Sequence, residues 1–133
     1  MEVLATPSSD VQTAVSACLT PLMPGLATER AFTEGLVQSM LKRLLQGQTY
    51  GDRRGAALGL AGMVKGLGIS AINGYGILDA LKAAMDDQGK PGAREGALLA
   101  LECLCEKLGR CACQAKALLR MHCFCMAACC YHL

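Results

Sequence analysis

The sequence predicts an all-α fold in which pairs of helices stack side by side as a solenoid. Apolar residues recur at every third or fourth position through five segments, which is the spacing of amphipathic helices, and no segment reads convincingly as a strand. Short linkers rich in turn residues, such as "GQTYG" and "DDQGKPG", separate these segments. One helical region, starting at position 53, also returns as a second copy that starts at position 94. Alternating helices, tight turns and an internal copy together favour a helical-repeat architecture.

The five helices are predicted, in chain order, over residues 10–23, 29–46, 52–67, 75–86 and 93–108. The first follows "PSSD", where Ser9 or Asp10 could cap the first turn. The second ends at Gly47 and carries a wide apolar stripe. The members of that stripe are Phe32, Leu36, Val37, Met40, Leu41, Leu44 and Leu45.

Each of the three later segments also places apolar residues on one face, and these residues form the rest of the predicted core. In the segment 52–67 they are Ala56, Leu60, Met63, Val64 and Leu67. In the segment 75–86 they are Ile77, Leu78, Leu81 and Met85. In the segment 93–108 they are Ala97, Leu101, Leu104 and Leu108.

The internal copy relates "RRGAALGLAGMVKGLG" (53–68) to "REGALLALECLCEKLG" (94–109), with seven identities in sixteen positions. A fainter echo lies almost the same distance before the first copy, where "DVQTA" (10–14) falls on "DRRGA" (52–56). A unit of two helices in about 41–42 residues matches the HEAT/armadillo class of repeats and not the shorter tetratricopeptide or ankyrin units. The prediction is therefore an α-solenoid of HEAT/armadillo-type helix pairs.

A row of glycines runs along the helix predicted at 52–67, although each glycine inside a helix costs about 1 kcal/mol relative to alanine. The row consists of Gly55, Gly59, Gly62 and Gly66, and its counterparts in the second copy are Gly96, Ala100, Cys103 and Lys107. Small side chains on one side let a neighbouring helix approach closely, and the added dispersion contacts offset the lost propensity. We therefore expect a helix-packing role for Gly55, Gly59, Gly62, Gly96 and Ala100. Gly68 and Gly109 are expected to end the two copies.

Composition limits the class and the compartment. Hydrophobic residues make up 53% of the chain and charged residues 18%, against a typical charged fraction of about 25%. The start "MEVLATPSSD" predicts no secretory signal, and no apolar run approaches the roughly 20 residues of a membrane helix. The nine cysteines are then expected to be reduced thiols, so the chain is predicted to be cytoplasmic with no membrane partner.

Motifs for catalysis or cofactor binding are weak. No window supplies the spacing of a phosphate-binding P-loop, and "GLGISA" (66–71) matches a relaxed dinucleotide fingerprint but follows a helix instead of a strand. The spacing of Gly51, Gly55 and Gly59 fits a membrane dimerisation face, yet charged residues lie within and beside it. The histidines lie in the last dozen residues with no clear orienting carboxylate. We predict neither an enzyme nor a cofactor.

The C-terminal end is rich in cysteine, with "CAC" (111–113), "HCFC" (122–125) and "CC" (129–130). Such soft ligands suggest zinc, but structural zinc sites usually space their thiolates C-x₂₋₄-C, which these pairs do not. Helical apolar spacing in the same stretch favours small buried thiols, so no metal ligand is predicted. A small Cys-rich zinc-binding protein stays as an alternative.

Basic residues cluster near the predicted helix ends, where they are either solvated charges or contacts for a polyanion such as ribosomal RNA, or for an acidic protein. The candidate contacts are Lys42, Arg43, Arg53, Arg54, Lys65 and Arg94. Solenoids usually end in repeats with a polar outer face, which neither end of this chain offers. The sequence therefore predicts self-association through uncapped ends.

Three stretches, "SSDVQTAVSACLTPLMP", "YGDRRGAALGLAGMVKGLGI" and "REGALLALECLCEKLGR", resemble the ILITYHIA-like family of large HEAT-repeat translational activators of the general-control pathway. The resemblance covers about residues 8–110, and the matched stretch is similar to the family's central, elongation-factor-three-like region. It implies a non-catalytic cytosolic scaffold that associates with ribosomes and promotes activation of the kinase acting on the alpha subunit of initiation factor two. A generic HEAT-type protein adaptor with no translation role is the alternative.

The predicted organisation has two parts. Residues 1–110 form HEAT-like repeats of about two and a half helix pairs, and residues 111–133 form a divergent Cys-rich helix or tail.

Overall fold

A computed structural model describes residues 8–109 of the chain. In this range the chain forms six α-helices and no β-strand. The helices are α1 (Ser9–Leu26), α2 (Arg30–Gln46), α3 (Tyr50–Leu67), α4 (Ala71–Gly74), α5 (Ile77–Asp86) and α6 (Pro91–Leu108). The prediction of an all-α helical-repeat solenoid is confirmed. The Cys-rich part predicted at 111–133 lies outside the described residues.

The helix boundaries repeat with the period found in the sequence. Helices α1, α3 and α6 each contain 18 residues and begin at positions 9, 50 and 91, so their starts are equally spaced. Helix α2 begins at position 30 and α4 at position 71, which is the same step along the chain. The short α4 and the longer α5 together occupy the place that α2 holds in the preceding repeat.

The helices form two layers. Helices α1, α3 and α6 lie side by side as an inner layer, with α3 in contact with both of the others. Helices α2 and α5 contact each other and form the outer layer, which packs on α3 and α6. The hydroxyls of Ser16 and Thr20 on α1 donate hydrogen bonds to the backbone carbonyls of Leu58 and Gly62 on α3. Because both pairs advance in the same order along the chain, α1 and α3 run in the same direction. In the described part of the chain, α1 with α2 and α3 with α4 and α5 thus form two repeats, and α6 begins a third.

The core is centred on α3, because every residue from 55 to 64 is buried. The largest fully buried apolar side chains are Met23, Val37, Met40, Leu44, Leu60, Met63, Val64, Ile77 and Leu81. The predicted apolar faces supply most of this core, but Phe32 is half exposed because it lies outside the face that α2 buries. No helix between residues 8 and 109 combines the length and the apolar character that crossing a membrane would require.

The prediction of one helix over 75–86 is wrong at its start. Residues 71–74, which lie between the helices predicted at 52–67 and 75–86, form the turn α4, and α5 begins only at Ile77. The break falls at Gly76, whose φ of 66° puts it in the left-handed region that glycine adopts without strain. The sequence analysis therefore missed the turn α4 and began the following helix two residues too early.

Helix α1 is longer than predicted and is capped differently. It extends to Leu26 through Pro21 and Pro24, beyond the predicted end at residue 23. Its N-cap is Ser8, which makes no side-chain cap bond, so neither Ser9 nor Asp10 has the predicted capping role. Helices α3 and α6 end as expected, at Gly68 (φ 93°) and Gly109 (φ 58°).

The inner helices approach one another where side chains are absent. A Cβ built on Gly62 would overlap the carbonyl oxygen of Ser16 and lie 2.8 Å from its Oγ. A Cβ on Gly66 would overlap the carbonyl oxygen of Thr20 and lie 2.7 Å from the Met23 Cβ. The two glycines therefore hold α1 close to α3.

The other members of the packing row have several different neighbours. A Cβ on Gly96 of α6 would overlap the carbonyl oxygen of Leu44, so α6 makes its close approach to the outer helix α2. Ala100 is fully buried, and Gly55 and Gly59 are buried in α3.

Close approach lets polar side chains of α1 bond directly to the backbone of α3. Gln12 Nε2 donates to the carbonyl of Gly51 (3.0 Å) and Ser16 Oγ to that of Leu58 (2.6 Å). Thr20 Oγ1 donates to the carbonyl of Gly62 at 3.2 Å. Gln12 and Ser16 are buried, so these bonds also satisfy groups that would otherwise lose water without compensation.

We expect Gly62→Ala to destabilise the fold by about 1–3 kcal/mol, the usual cost of overpacking, because its Cβ has no room beside Ser16. Gly35→Ala is the matched control, since Gly35 lies inside α2 with nothing within 4 Å of an added Cβ. The control should gain up to about 1 kcal/mol from helix propensity. Urea unfolding of both variants measures the difference, and equal stabilisation of both would contradict the close approach.

A basic edge as the candidate interaction site

The candidate site lies along one edge of the solenoid, where outer helices end and inner helices begin. A groove of about 440 Å³ opens there between the end of α2 and the start of α3. We call it the turn groove, and its lining residues are Ser39, Lys42, Arg43, Gln46, Gly47, Gln48, Asp52 and Ala56. Two of the six predicted basic contacts line it, together with several amide and hydroxyl groups.

A capping box fixes the start of α3 beside this groove. The Asp52 backbone N–H donates to Thr49 Oγ1 (3.1 Å), and the Thr49 backbone N–H donates to Asp52 Oδ2 (3.3 Å). Hydrogen bonds from the Thr49 side chain and backbone lower the pKa of Asp52, and the charges of Arg43 and Arg53 lower it further. Asp52 thus carries a negative charge inside a largely basic edge.

Arg53 is held by contacts within the molecule. Its guanidinium forms an ion pair with Glu95 of α6 and donates through Nη1 to the carbonyl of Gly47 at 2.9 Å. Only 12% of the Arg53 side chain is exposed, against 45% of Glu95. Arg53 therefore ties α3 to α6 and to the preceding turn, although the sequence analysis placed it among contacts for a partner.

Arg54 has a similar role on the opposite side of α3. Its Nη1 donates to Oε1 of the buried Gln12 at 3.1 Å, which links α3 to α1. Both arginines bond to residues 42 positions away in a neighbouring inner helix. A parallel stack of repeats brings together side chains that lie about one repeat apart, and these two bonds fall one residue outside the 41-residue register.

Of the other four basic candidates, the two lysines are exposed and the two arginines are half-buried. Lys42 is exposed and Arg43 is half-buried, both beside the turn groove. Arg94 is half-buried at the next turn along the edge, where its Nη1 donates to Gln88 Oε1 at 3.2 Å. Lys65 is exposed but lies twelve positions after Arg53 on α3, about 18 Å along the helix axis. The structure thus places Lys65 at the opposite edge.

The thiols within the described range give no sign of a metal site. No group of three or more His, Cys, Asp or Glu side chains between residues 8 and 109 could hold a metal ion. Cys103 is buried, and burial, followed by the charges of Glu102 and Glu106, raises its pKa to about 11. That thiol is neutral at physiological pH. The "CAC", "HCFC" and "CC" groups weighed as zinc ligands lie outside the described residues.

Two features of this site were missed by the sequence analysis. The first is the capping box, although "TYGD" (49–52) has the Thr-x-x-acid spacing that signals one. The second is the ion pair between Arg53 and Glu95. The internal copy aligns Arg53 with Arg94, and Glu95 is the next residue along the chain. Both are local or repeat-related patterns, so both could have been found without coordinates.

Two layers of helices that repeat at equal steps along the chain define a helical-repeat protein of the HEAT/armadillo class. More particularly, the chain is 50% identical over 110 residues to Protein ILITYHIA of Arabidopsis thaliana. It is 43% identical over 107 residues to the stalled ribosome sensor GCN1 of Homo sapiens. It is also 37% identical over 111 residues to the eIF-2-alpha kinase activator GCN1 of Saccharomyces cerevisiae.

These matches cover 80–83% of this chain, which confirms the resemblance to ILITYHIA-like proteins. The chain spans only about 4% of the length of each of these relatives. No protein-family model matches the chain. No solved structure matches it.

Replacing Arg53 should weaken the stack itself. We expect Arg53→Met to lower the free energy of unfolding by about 1–3 kcal/mol, because it removes a mostly buried charged group from its bonds to Glu95 and Gly47. Lys42→Met, at an exposed position, should change stability by no more than about 0.5 kcal/mol. Denaturant unfolding of both variants tests this, and similar stability of the two would contradict a structural role for Arg53.

The capping box gives a second prediction. Thr49→Ala should destabilise the fold by about 1 kcal/mol, whereas Thr49→Ser, which keeps the hydroxyl, should lose much less.

The pKa of Asp52 is lowered in the folded chain, which gives a pH dependence. The contribution of its carboxylate to stability is present above the ordinary pKa of 3.8 and is lost as pH falls through the pKa of the folded state. The stability gap between the native chain and Asp52→Asn should therefore close on acidification, and a gap that widened would contradict the assignment.

Proposed function

We propose that this chain is a non-catalytic HEAT-repeat scaffold of translation regulation that contacts the ribosome. The observation that carries the proposal is the similarity, over most of the chain, to proteins named as a stalled ribosome sensor (43% identical) and as an eIF-2-alpha kinase activator (42% identical). These relatives are many times longer, since the chain spans about 4% of each. The proposed share of this chain in their activity is a contact surface, used in the cytoplasm during the stress response in which that kinase is activated.

The basic edge supports contact with a polyanion. Lys42 is exposed beside the turn groove, with Arg43 next to it and Arg94 at the following turn. Phosphate groups of ribosomal RNA would gain from these charges by releasing condensed counterions, which makes such binding strongly salt-dependent. The amides of Gln46 and Gln48 add neutral hydrogen-bonding groups in the same groove.

The internal contacts of Arg53 and Arg54 change how this proposal must be tested. Charge reversal at Arg53 would place two carboxylates together at Glu95 and would disturb the stack. Loss of binding would then report on folding as well as on contact. Lys42 is the better position for a charge-reversal test, because its side chain is exposed and its replacement should leave the helix contacts intact.

We expect Lys42→Glu to weaken co-sedimentation of the chain with ribosomes several-fold and to reduce the slope of log affinity against log salt by about one unit or more. Lys82→Glu is the matched control, since Lys82 is exposed on α5 away from the turn groove and should change binding little. Both variants should keep the unfolding midpoint of the unsubstituted chain.

Three other outcomes would redirect the proposal. Binding that ignores both salt and Lys42→Glu would remove the basic edge from it. No co-sedimentation at all would leave the generic HEAT-type adaptor, which has no translation role. Stoichiometric zinc in the purified reduced chain would instead favour the Cys-rich zinc-binding alternative.

A further inference from the structure

Helix α6 exposes an apolar position that the other inner helices bury. Ser16 of α1, Ala57 of α3 and Leu98 of α6 hold equivalent positions, one repeat apart. Ser16 and Ala57 are fully buried, whereas 51% of Leu98 is exposed. Leu98 shares one side of α6 with Glu102 and Glu106, because residues four apart lie on the same side of a helix. We call the side that carries these three residues the open face.

The two carboxylates of the open face are unfavourably placed on α6. Glu102 and Glu106 are exposed, and between residues 8 and 109 neither forms an ion pair. Like charges four positions apart in a helix repel each other. Glu106 also lies in the last turn of α6, where the helix dipole favours a positive charge, and Lys107 is the only basic residue in that turn. The open face therefore favours a partner that brings positive charges together with apolar side chains.

The segment that follows α6 in the chain has this composition. Residues 110–133 contain no aspartate or glutamate, and their lysine and arginine residues are Arg110, Lys116 and Arg120. Apolar and thiol side chains make up most of the remainder. Lys116 and Arg120 are four positions apart, which is also the separation of Glu102 and Glu106. The charge and the apolar content of this segment are therefore complementary to the open face.

The covalent connection brings this segment to the open face. Gly109, whose φ is 58°, ends α6 and lets the chain turn. In a chain that reverses there with helical spacing, a residue after Gly109 lies level with the residue that is equally far before it. Lys116 is then level with Glu102, and Arg120 is level with Leu98, which its apolar stem can cover. The tether also gives the segment an effective concentration on the order of millimolar at this face.

We propose that residues 110–133 dock on the open face of α6 and cap that end of the solenoid. Lys116 relieves the repulsion between Glu102 and Glu106, and the apolar side chains of the segment cover Leu98. The contact lies within one molecule, so its extent does not depend on protein concentration. The sequence analysis expects self-association through uncapped ends, and docking of this segment would close one of those ends to a second copy.

The first experiment measures cleavage of the full reduced chain after Arg120 by an arginine-specific protease, with mass spectrometry to locate the cut. When opening of the contact is fast relative to cleavage, the rate reports the fraction of undocked segment. The initial rate should be several-fold lower than in a synthetic peptide of residues 110–133, which lacks the open face. The rate constant should also stay the same from about 1 to 100 µM chain, as expected for an intramolecular contact.

The second experiment repeats this measurement on variants. Glu102→Lys and Lys116→Glu should each speed cleavage after Arg120 by about two- to five-fold, as expected for loss of an accessible ion pair. The chain with both changes should regain the native rate, because the pair is restored with its signs exchanged. Leu98→Asp should speed cleavage on the order of ten-fold, since docking would bury its carboxylate. Glu34→Lys, at an exposed position of α2, is the matched control and should leave the rate unchanged.

The proposal is overturned if the native chain is cleaved as fast as the peptide. It is also overturned if protection survives both Glu102→Lys and Leu98→Asp, which would assign the segment to another surface, such as the outer layer. Protection that disappears on dilution would assign the open face to a second copy and would overturn it as well. Circular dichroism and the unfolding midpoint check that each variant folds. Failure here leaves ribosome binding untouched, because the open face shares no residue with the turn groove.

Discussion

The close approach of α1 to α3 is the contact on which the rest of the structure depends. It exists because Gly62 and Gly66 present no side chain where the carbonyls of Ser16 and Thr20 pass. That distance brings polar side chains of α1 within hydrogen-bonding reach of backbone carbonyls on α3. An interface of this kind is narrow and directional, so it fixes both the spacing and the register of α1 against α3.

The same register explains why charged residues hold structural roles here. Arg53 and Arg54 lie near the start of α3, and a parallel stack places them beside the starts of α6 and α1. Their partners, Glu95 and Gln12, lie close to one repeat away along the chain. Side chains at these positions form bonds between neighbouring repeats. The basic side chains accessible to a ligand are those near the turns, such as the exposed Lys42 close to the end of α2.

Much of the fold could be predicted from the sequence, because apolar spacing and the internal copy both reflect burial. The turn α4 could not, since four residues are too few to show an apolar period, and the left-handed angle of Gly76 is seen only in the backbone. The site was harder. A basic residue looks the same in the sequence whether water or Glu95 surrounds it, so Arg53 was assigned to a partner and Lys65 was grouped with residues at the opposite edge. Whether a basic residue bonds within the fold depends on which distant residues lie beside it, and local sequence propensity does not contain that information.

The divided outer helix has a mechanical consequence. Where α2 is one continuous rod, the second repeat has the short α4 and then α5, joined through the left-handed Gly76. A continuous helix resists bending because its backbone hydrogen bonds run unbroken along its length. Here that continuity is lost in the outer layer, while the 18-residue inner helix α3 remains intact. We therefore expect the outer layer to bend more readily at Gly76 than within α2, where a bend would disturb continuous helical hydrogen bonds.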